Sequence, residues 1–157
     1  MKITIGIDGS GVEEAIRRVE QRQKWFEERT QELVQRLANY GATLARVSFE
    51  GAAYDGENDV TVDVEERGDK AMAVVAVGNA VLFIEFGAGK MLGYGHPDVQ
   101  GYGPGTYPGK GHWDDPNGWY YAHGKKSYGN PPSASMYNAR KQVVEDLERI
   151  AKEVFSH

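Results

Sequence analysis

Between Asn79 and Pro132 the chain changes character, and that stretch limits what the remainder can build. It opens on an apolar run, Ala80-Val81-Leu82-Phe83-Ile84-Glu85-Phe86, which breaks at Gly87-Ala88-Gly89. Twelve of the twenty glycines then fall between Gly87 and Gly129, together with Trp113, Trp119 and six of the nine tyrosines. Asn130-Pro131-Pro132 closes the stretch. A loop longer than about 12–15 residues inside a compact domain is uncommon, and is either functional or disordered. Disordered segments are poor in aromatics, so this one is expected to order, alone or on a partner. Tyr and Trp supply large contact area at low entropic cost and anchor protein interfaces. Some of these rings are expected to cover the rest of the fold, and others to meet another protein.

The flanks must then supply the frame. A chain of 157 residues favours one domain, 1–157, with 87–132 as its extended loop or arm. A domain of that size buries roughly 68–70% of the surface its unfolded chain exposes, enough for a core without staples. There is no cysteine, which rules out disulfides and fits a reducing compartment. The net charge of −5 gives no general field to attract nucleic acid, and no sequence-specific nucleic-acid partner is expected. Met1-Lys2-Ile3-Thr4-Ile5 lacks the apolar core of a secretion signal. No apolar run approaches the ~20 residues that span a bilayer, so no membrane partner is expected.

Residues 2–7 alternate and are β-branched, which predicts a short strand. Ser10 is placed to cap a helix, with Glu13 at capping-box spacing. From Val12 the apolar residues recur at alternating steps of four and three: Val12, Ile16, Val19, Phe26, Leu33, Leu37, Tyr40, Leu44 and Val47, with Gln23 and Thr30 as polar members of the row. The opposite face is charged, and Glu14–Arg18, Glu20–Lys24 and Glu32–Arg36 have the favoured i,i+4 order. A long helix to at least Ala38 follows, with Gly41 either ending it or tolerated inside it. The row fits a coiled-coil seam or an amphipathic helix laid across a sheet of the same chain. Its interruptions and its width favour the second.

Val60, Val62 and Val64 alternate with Thr61, Asp63 and Glu65, a half-buried strand over 59–66. Arg67-Gly68-Asp69 turns the chain into a return strand over 70–77, Gly78-Asn79 turns it again, and 80–86 is expected as a third strand of an antiparallel meander. Ser133 or Ser135 is placed to cap a final helix with an apolar stripe from Met136 to Phe155. The expected fold class is α+β: an antiparallel β-meander packed against a long N-terminal helix and a C-terminal helix, carrying a long Gly/aromatic loop. Within that loop, Asp115-Pro116-Asn117-Gly118 marks a hairpin tip, with His112-Trp113 and Trp119-Tyr120-Tyr121 as its arms.

The phrase Phe83-Ile84-Glu85-Phe86-Gly87-Ala88-Gly89 resembles the aromatic–Val–Glu–Phe–Gly–Thr–Gly signature of the minor tail component, tail-completion or head–tail joining proteins of long-tailed bacteriophages. Further elements follow in the order of that family. They are Gly105-Thr106-Tyr107-Pro108, Asn117-Gly118-Trp119-Tyr120-Tyr121, Asn130-Pro131-Pro132 and Met136-Tyr137-Asn138-Ala139. The resemblance covers about residues 80–140 and is architectural before that. Two departures stand out: Ala134-Ser135 replaces the usual Pro-Phe before the Met, and no Pro-Val-Asp-Thr-Gly follows the first helix near Glu50–Gly56. The resemblance implies a structural, non-enzymatic phage or prophage virion protein at the neck, assembled in the host cytoplasm. Its partners would be the head–tail connector and tail-tube or terminator proteins, and it would form a homo-oligomeric ring. The expected partner interface comprises Glu85, Phe86, Tyr107, His112, Trp113, Trp119, Tyr120 and Tyr121.

Other chemistries find weaker footing. His96, Asp98, His112, Asp114, Asp115 and His123 are metal-ligand types, but their spacing matches no strong metal motif, so no metal site is expected. Ser127 and Ser133 stand in no nucleophile-elbow context. Gly87-Ala88-Gly89-Lys90 lacks phosphate-loop spacing, and no cofactor is expected. Glu85 could serve as a catalytic acid at a strand end, but pairing with a base or capping a turn is the plainer role. The alternative of a different class is a carbohydrate- or cell-wall-binding module using the exposed rings. A metal-dependent hydrolase built on the loop His and Asp residues ranks behind it.

Overall fold

A computed structural model describes residues 9–54, 56–68, 70–98, 117–120 and 124–156. In chain order the elements are helix α1 (Gly9–Glu50), strands β1 (Thr61–Glu66) and β2 (Met72–Val77), helix α2 (Val81–Phe86), a 3-10 turn at Gly89–Met91, strands β3 (Trp119–Tyr120) and β4 (Lys126–Ser127), and helix α3 (Ser135–Phe155). The α+β class holds: a long N-terminal helix, a two-stranded antiparallel sheet and a C-terminal helix pack together. The strand expected over 2–7 lies outside the described residues, as do 99–116 and 121–123 of the loop.

Helix α1 has 42 residues, about 63 Å at 1.5 Å per residue. Ser10 stands inside this helix rather than at its cap. Gly41 is tolerated, and the packing shows why. A β-carbon there would sit 3.2 Å from Val143 Cγ2 and 3.5 Å from Val74 Cγ2. The missing side chain lets α3 and β2 close on α1 together, which offsets glycine's helix cost of about 1 kcal/mol. The buried face of α1 is Ala38, Ala42, Ala45 and Phe49, while Val47 is 64% exposed. A strict seven-residue row drifts about 20° per heptad around a straight helix. The row from Val12 to Val47 therefore cannot keep one heading, and the core takes the small residues beside it. Of the expected ion pairs, Glu14–Arg18 and Glu32–Arg36 form, but Lys24 turns to Glu28 at 3.9 Å instead of Glu20.

β1 and β2 pair antiparallel from Thr61 opposite Val77 to Glu66 opposite Met72. Val62 is buried, and Val60, Val64, Val74 and Ala76 pack against the core of Ala42, Ala45, Phe49, Ile84 and Ala139. Arg46 ties the sheet to α1 through the Val62 carbonyl, 2.6 Å away.

The third strand of the expected meander is instead helix α2. A short unbroken apolar run does not distinguish strand from helix by period, and the deciding group lies outside the run. The Asp59 carboxylate accepts the backbone N–H groups of Asn79 (2.7 Å) and Ala80 (2.9 Å), at the N-terminal edge of the run. Those are donors a helix leaves without internal partners. Once wound, the segment stacks Phe83 on Tyr54, with centroids 4.4 Å apart, and buries Ile84, Glu85 and Phe86.

Helix α3 lies along α1. Tyr40 Oη donates to Asp146 Oδ2 at 2.7 Å, and Ser48 Oγ donates to the buried Ser135 Oγ at 2.8 Å. At the far end Phe155 meets Trp25 and Phe26, with ring centroids 5.8 and 5.6 Å apart. α3 has 21 residues, about 31 Å, so it covers roughly half of α1.

A candidate interaction surface at the base of the loop

The expectation that a serine caps α3 is corrected by the structure. Ser133 and Ser135 share a hydroxyl contact with each other at 2.7 Å, and neither side chain caps the helix. Glu85 takes that place from 51 residues upstream. Its Oε2 accepts Met136 N–H at 2.9 Å and its Oε1 accepts Tyr137 N–H at 3.1 Å. Backbone bonds from Ser133 N to the Ile84 carbonyl and from Ala134 N to the Glu85 carbonyl lock the approach. A carboxylate at a helix N-terminus satisfies orphan donors and meets the positive end of the helix dipole. Only 4% of Glu85 is exposed, so the charge is held by these bonds rather than by water. His96 Nε2 lies 3.5 Å from Glu85 Oε1. His96 Nδ1 accepts the Asp98 N–H at 3.1 Å, so that Nε2 is the nitrogen facing the carboxylate.

Immediately after α2 the two ends of the long segment are joined. Ala88 N donates to the Asn130 carbonyl at 2.9 Å, Lys90 N to the Tyr128 carbonyl at 3.0 Å, and Asn130 Nδ2 to the Phe83 carbonyl at 2.9 Å. Gly129 sits at φ 102°, and a β-carbon there would fall 1.8 Å from the Ala88 carbonyl oxygen. No other residue permits that approach without moving the backbone. The segment therefore leaves and re-enters the body at one closed base.

Trp119 belongs to that base. It is 5% exposed, pairs with Ser127 across the short β3–β4 ladder, and lies against Gly89. Trp119 was expected at a partner interface; it is packed inside the chain, as are Glu85 and Phe86. The physical reasons differ: the glycine turn at 87–89 brings Trp119 into the closed loop base, Glu85 is drawn in by the α3 amides, and Phe86 packs beside His96 on the cavity wall. Tyr120 does face outward, at 69% exposure. Tyr107, His112, Trp113 and Tyr121 lie outside the described residues.

Around Tyr120 the structure assembles a surface that the sequence reading missed. Tyr128 is half-exposed, with Lys90 and Lys126 nitrogens each 4.9 Å from its ring centre, and Lys126 lies 5.8 Å from that of Tyr120. The Tyr120–Lys126 pairing of β3 and β4 brings these side chains together. The one local signal was Lys126-Ser127-Tyr128, where the period of a strand puts Lys126 and Tyr128 on one side. Tyr94 and Leu92 are exposed after the 3-10 turn. The patch offers ring faces, phenol hydroxyls and two cations, groups suited to contacting a partner.

Of the metal-ligand types nominated by sequence, His96 accepts the Asp98 backbone N–H beside Glu85, and His112, Asp114, Asp115 and His123 lie outside the described residues. Among the described residues no group of three or more His, Cys, Asp or Glu is arranged to hold a metal, and no helix is long and apolar enough to cross a membrane. A cavity of about 550 Å³ opens between α1, β2 and α3, walled by Leu37, Val74, Phe86, Met136 and Val143, with Glu85, Asp98 and Arg140 as its charged members. Compared with family models, curated proteins and solved structures, the chain matches none.

Proposed function

We propose that this protein is a structural component of a long-tailed phage or prophage virion that joins head to tail through protein–protein contacts. The role comes from the resemblance over residues 80–140. The observation that best supports it is the use to which Phe83–Gly89 is put. Glu85 spends both carboxylate oxygens on the α3 backbone, and the following glycines close the base of the loop. A signature built this way holds a loop in place, which is what a docking protein needs from it. In this reading the body carries the loop, and the Tyr120, Tyr128, Lys90 and Lys126 patch at its base contacts a connector or tail protein in the assembled neck.

The test is complementation of a phage lacking the gene with Tyr120→Ala/Tyr128→Ala. Both side chains are exposed, so the purified variant should keep its circular dichroism and melting temperature. Particles should accumulate as separate full heads and free tails, with titre reduced by about a hundredfold or more, as expected when a few interface aromatics carry most of the binding energy. Normal titre from that variant overturns the assignment of the patch. Normal titre from a deletion of the gene overturns the virion role.

A further inference from the structure

The half of α1 beyond α3 carries an apolar row that nothing in the described chain covers. Phe155 reaches Trp25 and Phe26, and from there toward Gly9 the helix continues as a stem of about 24 Å at 1.5 Å per residue. Val12, Ile16 and Val19 are 47, 52 and 51% exposed, and Phe26 remains 57% exposed. Their four-and-three spacing makes them the d, a and d positions of successive heptads, with Gln23 as the next a and Phe26 as the next d.

The residues bordering this row are sorted by sign. The positions just after each d residue are Glu13, Glu20 and Glu27, all acidic. The positions just before each a residue are Ala15, Arg22 and Arg29, with no acid among them. One edge of the stem is thus acidic and the other basic. The outward charges are already paired within the helix, Glu14 with Arg18 and Lys24 with Glu28. On the edges, Arg29 pairs with Glu32 at 2.6 Å and Glu27 accepts from Gln23 at 3.2 Å, bonds that the association would exchange, while Glu20 has no ion-pair partner among the described residues. Arg22 is held at the flank by stacking on Trp25, 3.8 Å from its ring centre.

We infer that the stem associates with the stem of a second copy of this chain, parallel and in register. Orientation follows from the edges. Parallel packing sets the basic edge of one helix against the acidic edge of the next, with Arg22 opposite Glu27 of the other copy. Antiparallel packing sets Glu against Glu and Arg against Arg, which is repulsive. Gln23 then meets its counterpart in the seam, where a polar pair fixes register at some cost in stability. Two heptads are too few to order a free peptide, because helix nucleation is costly. Here the helix is already wound as the continuation of a packed body, so that cost is met before association. The arrangement does not depend on the virion role, and it is tested without any phage component.

The experiment is sedimentation velocity on the full chain from about 1 to 300 μM, with four variants: Ile16→Asp/Val19→Asp, Arg22→Glu, Glu27→Arg and Arg22→Glu/Glu27→Arg. Wild type should associate reversibly with concentration. Ile16→Asp/Val19→Asp should sediment as a monomer with unchanged melting temperature. Each single charge reversal should weaken association by about tenfold, and the double reversal should restore it. A wild type that stays monomeric throughout the range overturns the inference. So does association indifferent to Ile16→Asp/Val19→Asp, or single reversals that the double variant fails to rescue.

Discussion

The two ends of α1 carry one apolar pattern and face different surroundings. Toward the C-terminal end, the buried face is Ala38, Ala42, Ala45 and Phe49, none more than 8% exposed. Toward the other end, Val12, Ile16 and Val19 are half-exposed on a stem that no layer of the described residues covers. The residue types differ with the surroundings. Alanines, and Gly41 among them, let the backbone of α1 approach β2 and α3 closely. The stem instead presents β-branched and aromatic side chains at heptad spacing between edges of opposite charge, the composition of a helix meeting another helix side by side. An amphipathic pattern states that a face needs a partner, and the size and charge of its neighbours say which partner.

The largest expected effect sits at the packed end. Glu85→Ala removes the acceptor for two α3 amides inside a site that water does not reach, and leaves both donors without a partner. Each such loss costs about 1–3 kcal/mol, so the variant should lose about 2–6 kcal/mol, measured by urea unfolding. The Tyr120–Tyr128 patch should be lost with it, because α3 and the closed loop base share Glu85 and its neighbours. Unfolding within about 1 kcal/mol of wild type would mean that the carboxylate is replaceable, and that α3 docks by its apolar face alone.

What could be read in advance follows the same division. Contacts between residues near in sequence were legible: the β1–β2 hairpin, the long helix and the stripe of α3 all follow from period and turn chemistry. What decided the rest came from far along the chain. Asp59 turns the run at 81–86 into a helix by accepting amides 20 and 21 residues ahead, and no window around Val81 contains that information. Glu85 was recognisable as a capping group, but its target helix was assigned to Ser133 or Ser135, the nearer residues of the right type. Trp119 looked like an interface anchor because exposed and buried tryptophans are alike in sequence. Its burial depends on Gly89 and Gly129 bringing two strands of chain together, a packing fact with no local trace.

A smaller effect is expected at Asp59, and it is visible through pH. The backbone amides of Ala80 and then Asn79 hold its carboxyl below the usual aspartate range. A carboxyl whose folded pKa is depressed stabilises the fold above its unfolded value, near 3.9, and loses that contribution as pH falls through the folded value. Asp59→Asn should therefore melt below wild type at pH 7, and the gap should close as the pH drops below about 4. A constant difference between Asp59→Asn and wild type down to pH 2 would mean that the side chain acts by shape and not by charge.

The smallest effect is the most informative about the comparison. Val19→Ser lies in the apolar row that runs from Val12 to Val47 and looks, from sequence, like a core substitution costing a few kcal/mol. With Val19 half-exposed and no layer of the described residues above it, the change should shift monomer stability by no more than about 0.5 kcal/mol, the ordinary range for surface substitutions. The measurement is urea unfolding at a concentration where wild type is monomeric. A loss of about 2 kcal/mol under those conditions would place a layer of this same chain over the stem, and would erase the difference between the two ends of α1. Indifference in the dilute monomer, joined to a loss that appears only as concentration rises, would locate the missing layer in a second molecule. Mass action then requires the size of the effect to grow with protein concentration, a dependence that no intramolecular contact can produce.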